Sequence, residues 1–466
     1  MTKMTLGLRF LCHIVTLIFI NVSYSSNTLA AGKPTQSGNL TDYGDEHFAA
    51  QVRKPLSVSS KDWAAPFRWV QLGDSHTAGD TFTGEIRDKL QAKHGNAGFG
   101  WVSPGYVNNQ RSESVKFSSL GDWSAVASRN STAHLASSNA GFPFGGMLGQ
   151  SSTASSGVNM TIKRSIPTES RIRLSAILSP SSAALAIGVA DVQLSPNADT
   201  PWQPVSIQLA SWGSELSLWS PAGGTKLGGI VLDFELTSTT DALMPQGVTV
   251  DAMGINGAEA KVVNTFDPAA TQAYLAWRKP NIVVLAYGTN EAFDPRASLP
   301  DIAQNLRNAI KMVRTYSQAT VMILGVPDIA VVSARARKRK VAACGEAPPS
   351  ASAVRETLRH VAQSEKTLYW DWAGAMQDVI NPNSRVAASQ PQTKQIISKD
   401  KNGKRVVKTI ALPVKKNVAP LVGCVMAKLA NASPALAQPD QVHFTAEGYA
   451  TMGRSLLKDL EGLVRH

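Results

Sequence analysis

Two changes of rhythm, one near Tyr106 and one near Gly247, constrain most strongly how this chain can fold. Outside them, strand-like and helix-like stretches alternate. Phe67–Leu72 reads as a strand, and Thr81–Gly95 as a helix with Gly95 just past its end. A glycine-rich loop, Gly95–Gly105, follows. Past Gly247, Val248–Asn256 restarts the alternation, and Asp267–Pro280 reads as a helix. The apolar run Asn281–Gly288 has the composition of a strand buried on both faces. The spacing then predicts a helix over Leu299–Arg314, a strand over Ala319–Val326 and a helix over Ala353–Ser364. A short strand at Thr367–Trp372 and a closing helix over Thr445–Leu463 complete the series. Between the two breaks the chain is rich in Ser, Thr and Gly, with short runs such as VNMTIKR, RIRLSAIL and GGIVLDFEL and little helical period. The expected architecture is a parallel α/β domain split by a β-sandwich of jelly-roll type.

The expected divisions are a signal segment over 1–30, a flexible polar lead-in over 31–60, and a first part of the α/β core over 61–105. The inserted sandwich occupies 106–247, and the second part of the core 248–466, with a basic insertion at 331–420. The signal reading rests on Lys3 and Arg9 around the start of an apolar stretch, Phe10–Val22, and on small residues at Ala30-Ala31. A membrane anchor fits less well, because the run is short and contains His13 and Asn21. The chain is therefore expected to be exported, periplasmic or associated with a bacterial cell envelope. Loss of Cys12 with the signal leaves Cys344 and Cys424, which suit one structural disulfide in an oxidising compartment, with two buried thiols as the alternative.

The net charge of +12 is concentrated. Residues 331–420 hold 17 Lys and Arg against 6 Asp and Glu, whereas 110–250 hold 8 against 9. Arg335–Lys340 and Lys399–Lys408 dominate, and Asn402-Gly403 marks a hairpin turn inside the second cluster. Such runs are ordinarily solvated loops. The functional alternative is contact with an anionic polymer or a membrane surface; nucleic acid is a poor partner for an exported chain. Four of the ten tryptophans, Trp123, Trp202, Trp212 and Trp219, fall in the sandwich. Core filling is the first reading for them, and stacking on sugar faces the second.

Ligands of open parallel sheets sit beyond the carboxyl ends of the strands. The loops there read Gly73-Asp74-Ser75-His76, then GINGA (Gly254–Ala258), then YGTNEA (Tyr287–Ala292), with DQVHFTAEGY (Asp440–Tyr449) before the last helix. Serine attack on an ester needs a nucleophile, a base, a group to orient the base, and oxyanion donors. Ser75 supplies the hydroxyl, His443 the base and Asp440, three residues earlier, the orienting carboxylate. The Ser75 N–H, the Gly257 N–H and the Asn290 amide are the candidate donors, with Asp74 and His76 as supporting residues. Each piece alone is a weak signal; the four in one order at strand ends are a strong one. No His/Glu pair has zinc-ligand spacing, so neither metal nor cofactor is expected.

The set resembles the SGNH hydrolase superfamily, named for its Ser, Gly, Asn and His blocks. Ser75 matches the first block, Gly257 the second, Asn290 the third, and Asp440 with His443 the last. His76 follows the serine where Leu is usual, and Glu291 stands where Asp is usual. The resemblance implies a flavodoxin-like, three-layer parallel sheet. A narrower resemblance, carried by QLGDSHTAGDTFTGEIRDKL, GNAGFGWVSPG and GINGAEA, is to bacterial peptidoglycan O-acetylesterases. It covers roughly 70–330 and 420–466. It implies a carbohydrate-binding-module-like domain inserted between the first two blocks, and removal of acetyl from the C6 hydroxyl of N-acetylmuramoyl residues. Acetylated exopolysaccharide or hemicellulose are other substrates open to such a site. A polysaccharide O-acetyltransferase on the same scaffold, or a wall-binding protein with an inert hydrolase half, are the alternative functions.

Overall fold

The computed structural model describes residues 34–107, 110–130, 141–167, 170–188, 192–199, 201–209, 213–236, 247–382, 393–399, 405–411 and 424–466. The expected signal segment, Trp212 and the Asn402-Gly403 turn lie outside the described residues. Thr393–Lys399 and Arg405–Ala411 pair antiparallel, with Lys399 opposite Arg405. Among the described residues, no helix is long and apolar enough to cross a membrane.

Strands without a polar face set the centre of the fold. Every residue of Ile282–Ala286 and Thr320–Leu324 is buried, as a strand covered on both faces requires. Seven strands form the central sheet: β1 (Thr35–Ser37), β2 (Leu40–Asp42), β3 (Phe67–Gly73), β4 (Val248–Gly254), β5 (Ile282–Ala286), β6 (Thr320–Leu324) and β7 (Leu368–Trp370). Their order is β1-β2-β7-β6-β5-β3-β4. The last five in that order run parallel, and the β1–β2 hairpin closes the edge antiparallel to β7. The parallel part is flavodoxin-like, with its order reversing about β3. Gly73 lies level with Gly254 on one side and Ala286 on the other. The loops after β3, β4 and β5 therefore leave the sheet side by side.

Six helices complete the layers: α1 (Thr81–His94), α2 (Pro268–Arg278), α3 (Leu299–Tyr316), α4 (Ala351–Ser364), α5 (Trp372–Ile380) and α6 (Ala446–Arg465). Alternate strand residues face opposite sides. Trp69, Ile282, Val284 and Met322 meet Phe82 and Ile86 of α1 and Leu456 and Leu460 of α6. Val70, Val283, Leu285 and Ile323 meet Leu275, Ile310 and Leu358 of α2, α3 and α4. Asp267 caps α2, accepting from the Ala270 N–H, with Pro268 in the first turn.

The segment expected as a flexible lead-in is instead part of the core. It supplies β1 and β2, and Leu40, Phe48 and Val52 are buried. The Asn39 N–H donates to Asp459 of α6 at 2.9 Å. Its few apolar residues are widely spaced, so its composition reads as polar although each one is used. The start of the insertion also differs. Gly98–Val102, expected within a loop of the first core part, is a strand paired with Lys226–Leu236 of the sandwich. Its glycines are there for close approach: at Gly100, with φ +79°, a Cβ would lie 2.5 Å from the Val250 carbonyl of β4.

The sandwich packs a five-stranded sheet on a six-stranded one around Val158, Met160, Leu174, Leu218 and Ile230. Trp123 is buried in that core, whereas Trp202 is buried against the α2–α4 side of the central sheet. Trp219 is half-buried. The insertion is stitched to the core by backbone bonds, from Phe142 N–H to Thr265 and from Asp267 N–H to Phe142.

A buried ionic cluster joins the two parts. Asp233 belongs to the sandwich strand Lys226–Leu236, Asp251 to β4 and Arg278 to the end of α2. Arg278 donates to Asp233 at 2.7 Å, to both oxygens of Asp251 at 2.7 and 2.9 Å, and to Thr249 at 3.0 Å. Tyr274 and the Trp101 N–H also donate to Asp251, at 2.9 and 2.8 Å. Burial opposes charge on Asp251, yet Arg278 and these donors hold its carboxyl below the ordinary range. Arg278→Met leaves two carboxylates buried without their cation. The expected loss is about 3–5 kcal/mol, read from urea unfolding; an unchanged midpoint would show that the cluster does not hold the two parts together.

Candidate active site

β3 ends at Gly73, where a Cβ would collide with the Thr77 hydroxyl and come within 2.9 Å of the Ala286 carbonyl. The chain turns sharply there. Asp74 caps the short helix Ser75–Ala78 by accepting from the His76 N–H at 2.9 Å. Gln71 braces the turn from below, donating to Thr77 at 2.9 Å. Ser75 is half-buried among neighbours that are fully buried, so its hydroxyl faces out of the core.

His443 reaches this hydroxyl from the loop before α6, with Nε2 3.0 Å from Ser75 Oγ. Its Nδ1 lies 2.7 Å from Asp440 Oδ2. The other oxygen of Asp440 accepts from the N–H groups of Val442 and His443, at 2.9 and 3.0 Å. Partial burial pushes the Asp440 carboxyl up, but the His443 ring and these two N–H groups outweigh it and hold the pKa at about 2. A carboxylate that stays charged fixes the Nδ1–H tautomer of His443 and leaves Nε2 free to accept the serine proton.

The turn that carries this pair is braced from the basic segment. Gln441, between Asp440 and His443, is buried and held at φ +55°. Its side chain donates to Ala343 at 2.7 Å, and its carbonyl accepts from the Ala330 N–H at 2.9 Å. Cys344 is joined to Cys424, 80 residues away in sequence. Asn431 then clamps both the N–H and the carbonyl of Ala342, each at 2.8 Å.

The loop after β4 carries Gly257, at φ +70°, and the short helix Thr289–Phe293 directly after β5 carries Asn290. Asn290 donates one amide hydrogen to the Ala258 carbonyl at 2.7 Å, and Glu291 accepts from the Ala260 N–H at 2.7 Å. The two residues therefore grip the glycine loop from both sides of Glu259. Burial pushes the Glu291 carboxyl up to about 7 and that of Asp74 to about 6, despite the N–H groups on each. His76 packs against Trp372, His443, Phe444 and Tyr449, with Nδ1 2.9 Å from the Tyr449 hydroxyl. Burial first, and His443 second, push its pKa down to about 3. A neutral imidazole thus lies under His443 and adds no charge there.

Ser75, His443 and Asp440 come together in one hydrogen-bonded line, with Gly257 and Asn290 on adjacent loops and Asp74 and His76 beneath. Gln441, Tyr449 and the grip of Glu291 on Ala260 were not foreseen. Gln441 lies inside the DQVH stretch, but nothing in its identity signals a bond to a residue 98 positions away. Among the described residues, no three His, Cys, Asp or Glu side chains are grouped to hold a metal. A cleft of about 710 Å³ beside Trp63, Phe67 and Asn281 opens at the other end of the sheet, away from these side chains.

A flavodoxin-like sheet carrying Ser, Gly, Asn and His on four such loops defines a serine esterase of the SGNH type. The family model for GDSL-like lipase/acylhydrolase matches residues 222–456, just over half of the chain, which belongs to that family. Residues 97–211 match the model described as peptidoglycan O-acetylesterase, N-terminal. A solved structure described as a peptidoglycan O-acetylesterase is 27% identical, covering 92% of this chain and 99% of its own, with a TM-score of 0.68. A Bacillus subtilis protein (12% identity, 78% of this chain and 95% of its own, TM-score 0.31) and an Enterococcus faecalis lipase/acylhydrolase (15%, 46% and 77%, TM-score 0.26) are more distant. No curated protein sequence matches.

Gln441→Ala frees the Asp440–His443 turn from Ala343. The expected effect is a fall in kcat of about 10-fold with KM little changed, since small misplacements of a reacting group are costly; steady-state kinetics on 4-nitrophenyl acetate with kcat intact would refute the brace. Glu291 yields a stability profile. A carboxyl whose folded pKa is raised favours the folded state while protonated, so stability is complete below its ordinary 4.5 and declines as pH rises through about 7. The decline amounts to roughly 3 kcal/mol at most. Glu291→Gln should flatten this slope in urea unfolding at pH 5 and pH 8, and parallel profiles for the two proteins would count against it.

Proposed function

We propose that this protein is exported to the cell envelope and removes O-acetyl groups from peptidoglycan, at the C6 hydroxyl of N-acetylmuramoyl residues. The observation that carries the reading is the Ser75–His443–Asp440 line at 3.0 and 2.7 Å. The similarity to a peptidoglycan O-acetylesterase over 92% of the chain supports the choice of polymer. Ser75 Oγ attacks the acetyl carbonyl carbon as His443 Nε2 takes its proton, and Asp440 stabilises the imidazolium. The Ser75 and Gly257 N–H groups and the second amide hydrogen of Asn290 bind the oxyanion. The bond of Asn290 to Ala258 fixes the plane of that amide in advance. His443 returns its proton to the sugar oxygen as the C–O bond breaks, leaving acetyl on Ser75. Water, deprotonated by His443, then releases acetate and restores the serine. The exposed cations Arg335, Arg337, Lys338, Arg339 and Lys340 suit contact with an anionic envelope polymer outside the reacting site.

Acetate release from native cell wall, set against wall stripped of its O-acetyl groups, tests the reading. Ser75→Ala should lower the rate on native wall by at least about 10³-fold. Equal acetate release by the variant, or none by the wild type, would overturn it.

A further inference from the structure

The inserted sandwich sends one charged side chain to the rim of the oxyanion loop. Arg129 lies on the turn Ser128–Asn130, directly after the strand Ser124–Ala127. Its base is firmly seated. The Ser128 N–H donates to Gly146 at 2.8 Å, and a Cβ on Gly146 would lie 3.0 Å from Ile255 and 2.9 Å from Phe266 of the hydrolase core. From there the guanidinium donates to the Asn256 carbonyl at 2.7 Å. It fills the space that a side chain at Gly257 would take, since a Cβ built there would overlap it. Arg129 is exposed, and no carboxylate among the described residues lies within ion-pair distance; the nearby Glu259 is paired with Lys261 at 2.8 Å. A charged group thus stands beside a candidate oxyanion donor, with Nη1 engaged by the Asn256 carbonyl, the guanidinium packed over Gly257 and the side chain as a whole exposed, which leaves further N–H donors of its planar fork for a ligand.

We propose that Arg129 is a specificity-determining residue that binds a carboxylate carried by the alcohol part of the ester. The oxyanion itself already has three donors from the core, which leaves the fork for a group on the leaving side. Planar, bidentate recognition of carboxylate is what a guanidinium does best. The insertion then contributes directly to substrate choice, favouring acetyl esters of acidic alcohols over neutral ones. This rests on the reading of the chain as an acetylesterase.

The test compares kcat/KM on 4-acetoxybenzoate with that on its methyl ester, for wild type, Arg129→Gln and Arg129→Lys. The wild type should prefer the charged ester, and the preference should fall about 10-fold in Arg129→Gln, the size of one charge-assisted hydrogen bond. Arg129→Lys should retain part of it, because it keeps the charge and loses the fork. An equal preference in wild type and Arg129→Gln overturns the proposal. Failure on cell wall with the preference intact would overturn peptidoglycan as substrate and uphold Arg129, whereas no turnover of either ester by the wild type would overturn the esterase and the proposal together.

Discussion

One guanidinium, that of Arg278, sets the relation between the two halves of this molecule. It is buried between Asp233 of the insertion and Asp251 of the central sheet. Removing three charged groups from water is costly, and only their mutual bonds offset that cost. The cluster therefore tolerates little relative movement, because a shift would leave a charge without its partner. Asp251 also accepts from Trp101 of the strand that links the sandwich to β4. The same β4 ends at Gly254, where a Cβ would collide with the backbone of Ala78 just behind the nucleophile turn. Interdomain geometry and active-site geometry are thus carried by one strand.

Much of this was legible in the sequence because chemistry and close packing both restrict residue identity. Gly73-Asp74-Ser75-His76 could be read because a strand ending in a tight turn needs a glycine and a capping carboxylate, whatever the serine does. The runs of β5 and β6 were legible because burial on both faces excludes polar residues. What escaped was structure made by sparse or ambiguous residues. Leu40, Phe48 and Val52 anchor a stretch whose composition is otherwise polar. Gly98–Val102 hid as a loop because its glycines serve close approach, Gly98 to the sandwich strand at Leu232 and Gly100 to β4 at Val250, rather than turning. Gln441 and Arg129 escaped for another reason. Their partners lie 98 and 127 positions away, and a single long-range side-chain bond leaves no periodic trace.

The layer beneath the reacting groups follows one electrostatic rule. Asp74, Glu291 and His76 are buried beside the line of Ser75, His443 and Asp440, and burial shifts each toward its neutral form. Asp440 alone is held firmly charged, by the ring and two N–H groups that point at it. The contrast matters for catalysis. Charge on the His443 ring would be met most directly by the carboxylate aligned with its Nδ1, that of Asp440.

The placement of the hydrogen-bonded Asp440–His443 pair on a separate loop has a mechanical consequence. Ser75, Gly257 and Asn290 project from strands locked in one sheet, so their relative positions are set by the strand register. Asp440 and His443 have no such strand beneath them. Their turn is held instead by Ala330, Ala343, the Cys344–Cys424 bridge and Asn431, all at the margins of the basic segment. A segment that reads from composition as a solvated appendage thus has its ends fastened to the catalytic turn. Changes that loosen those ends act on the geometry between Nε2 and Oγ, while Gly257 and Asn290 stay where the sheet puts them.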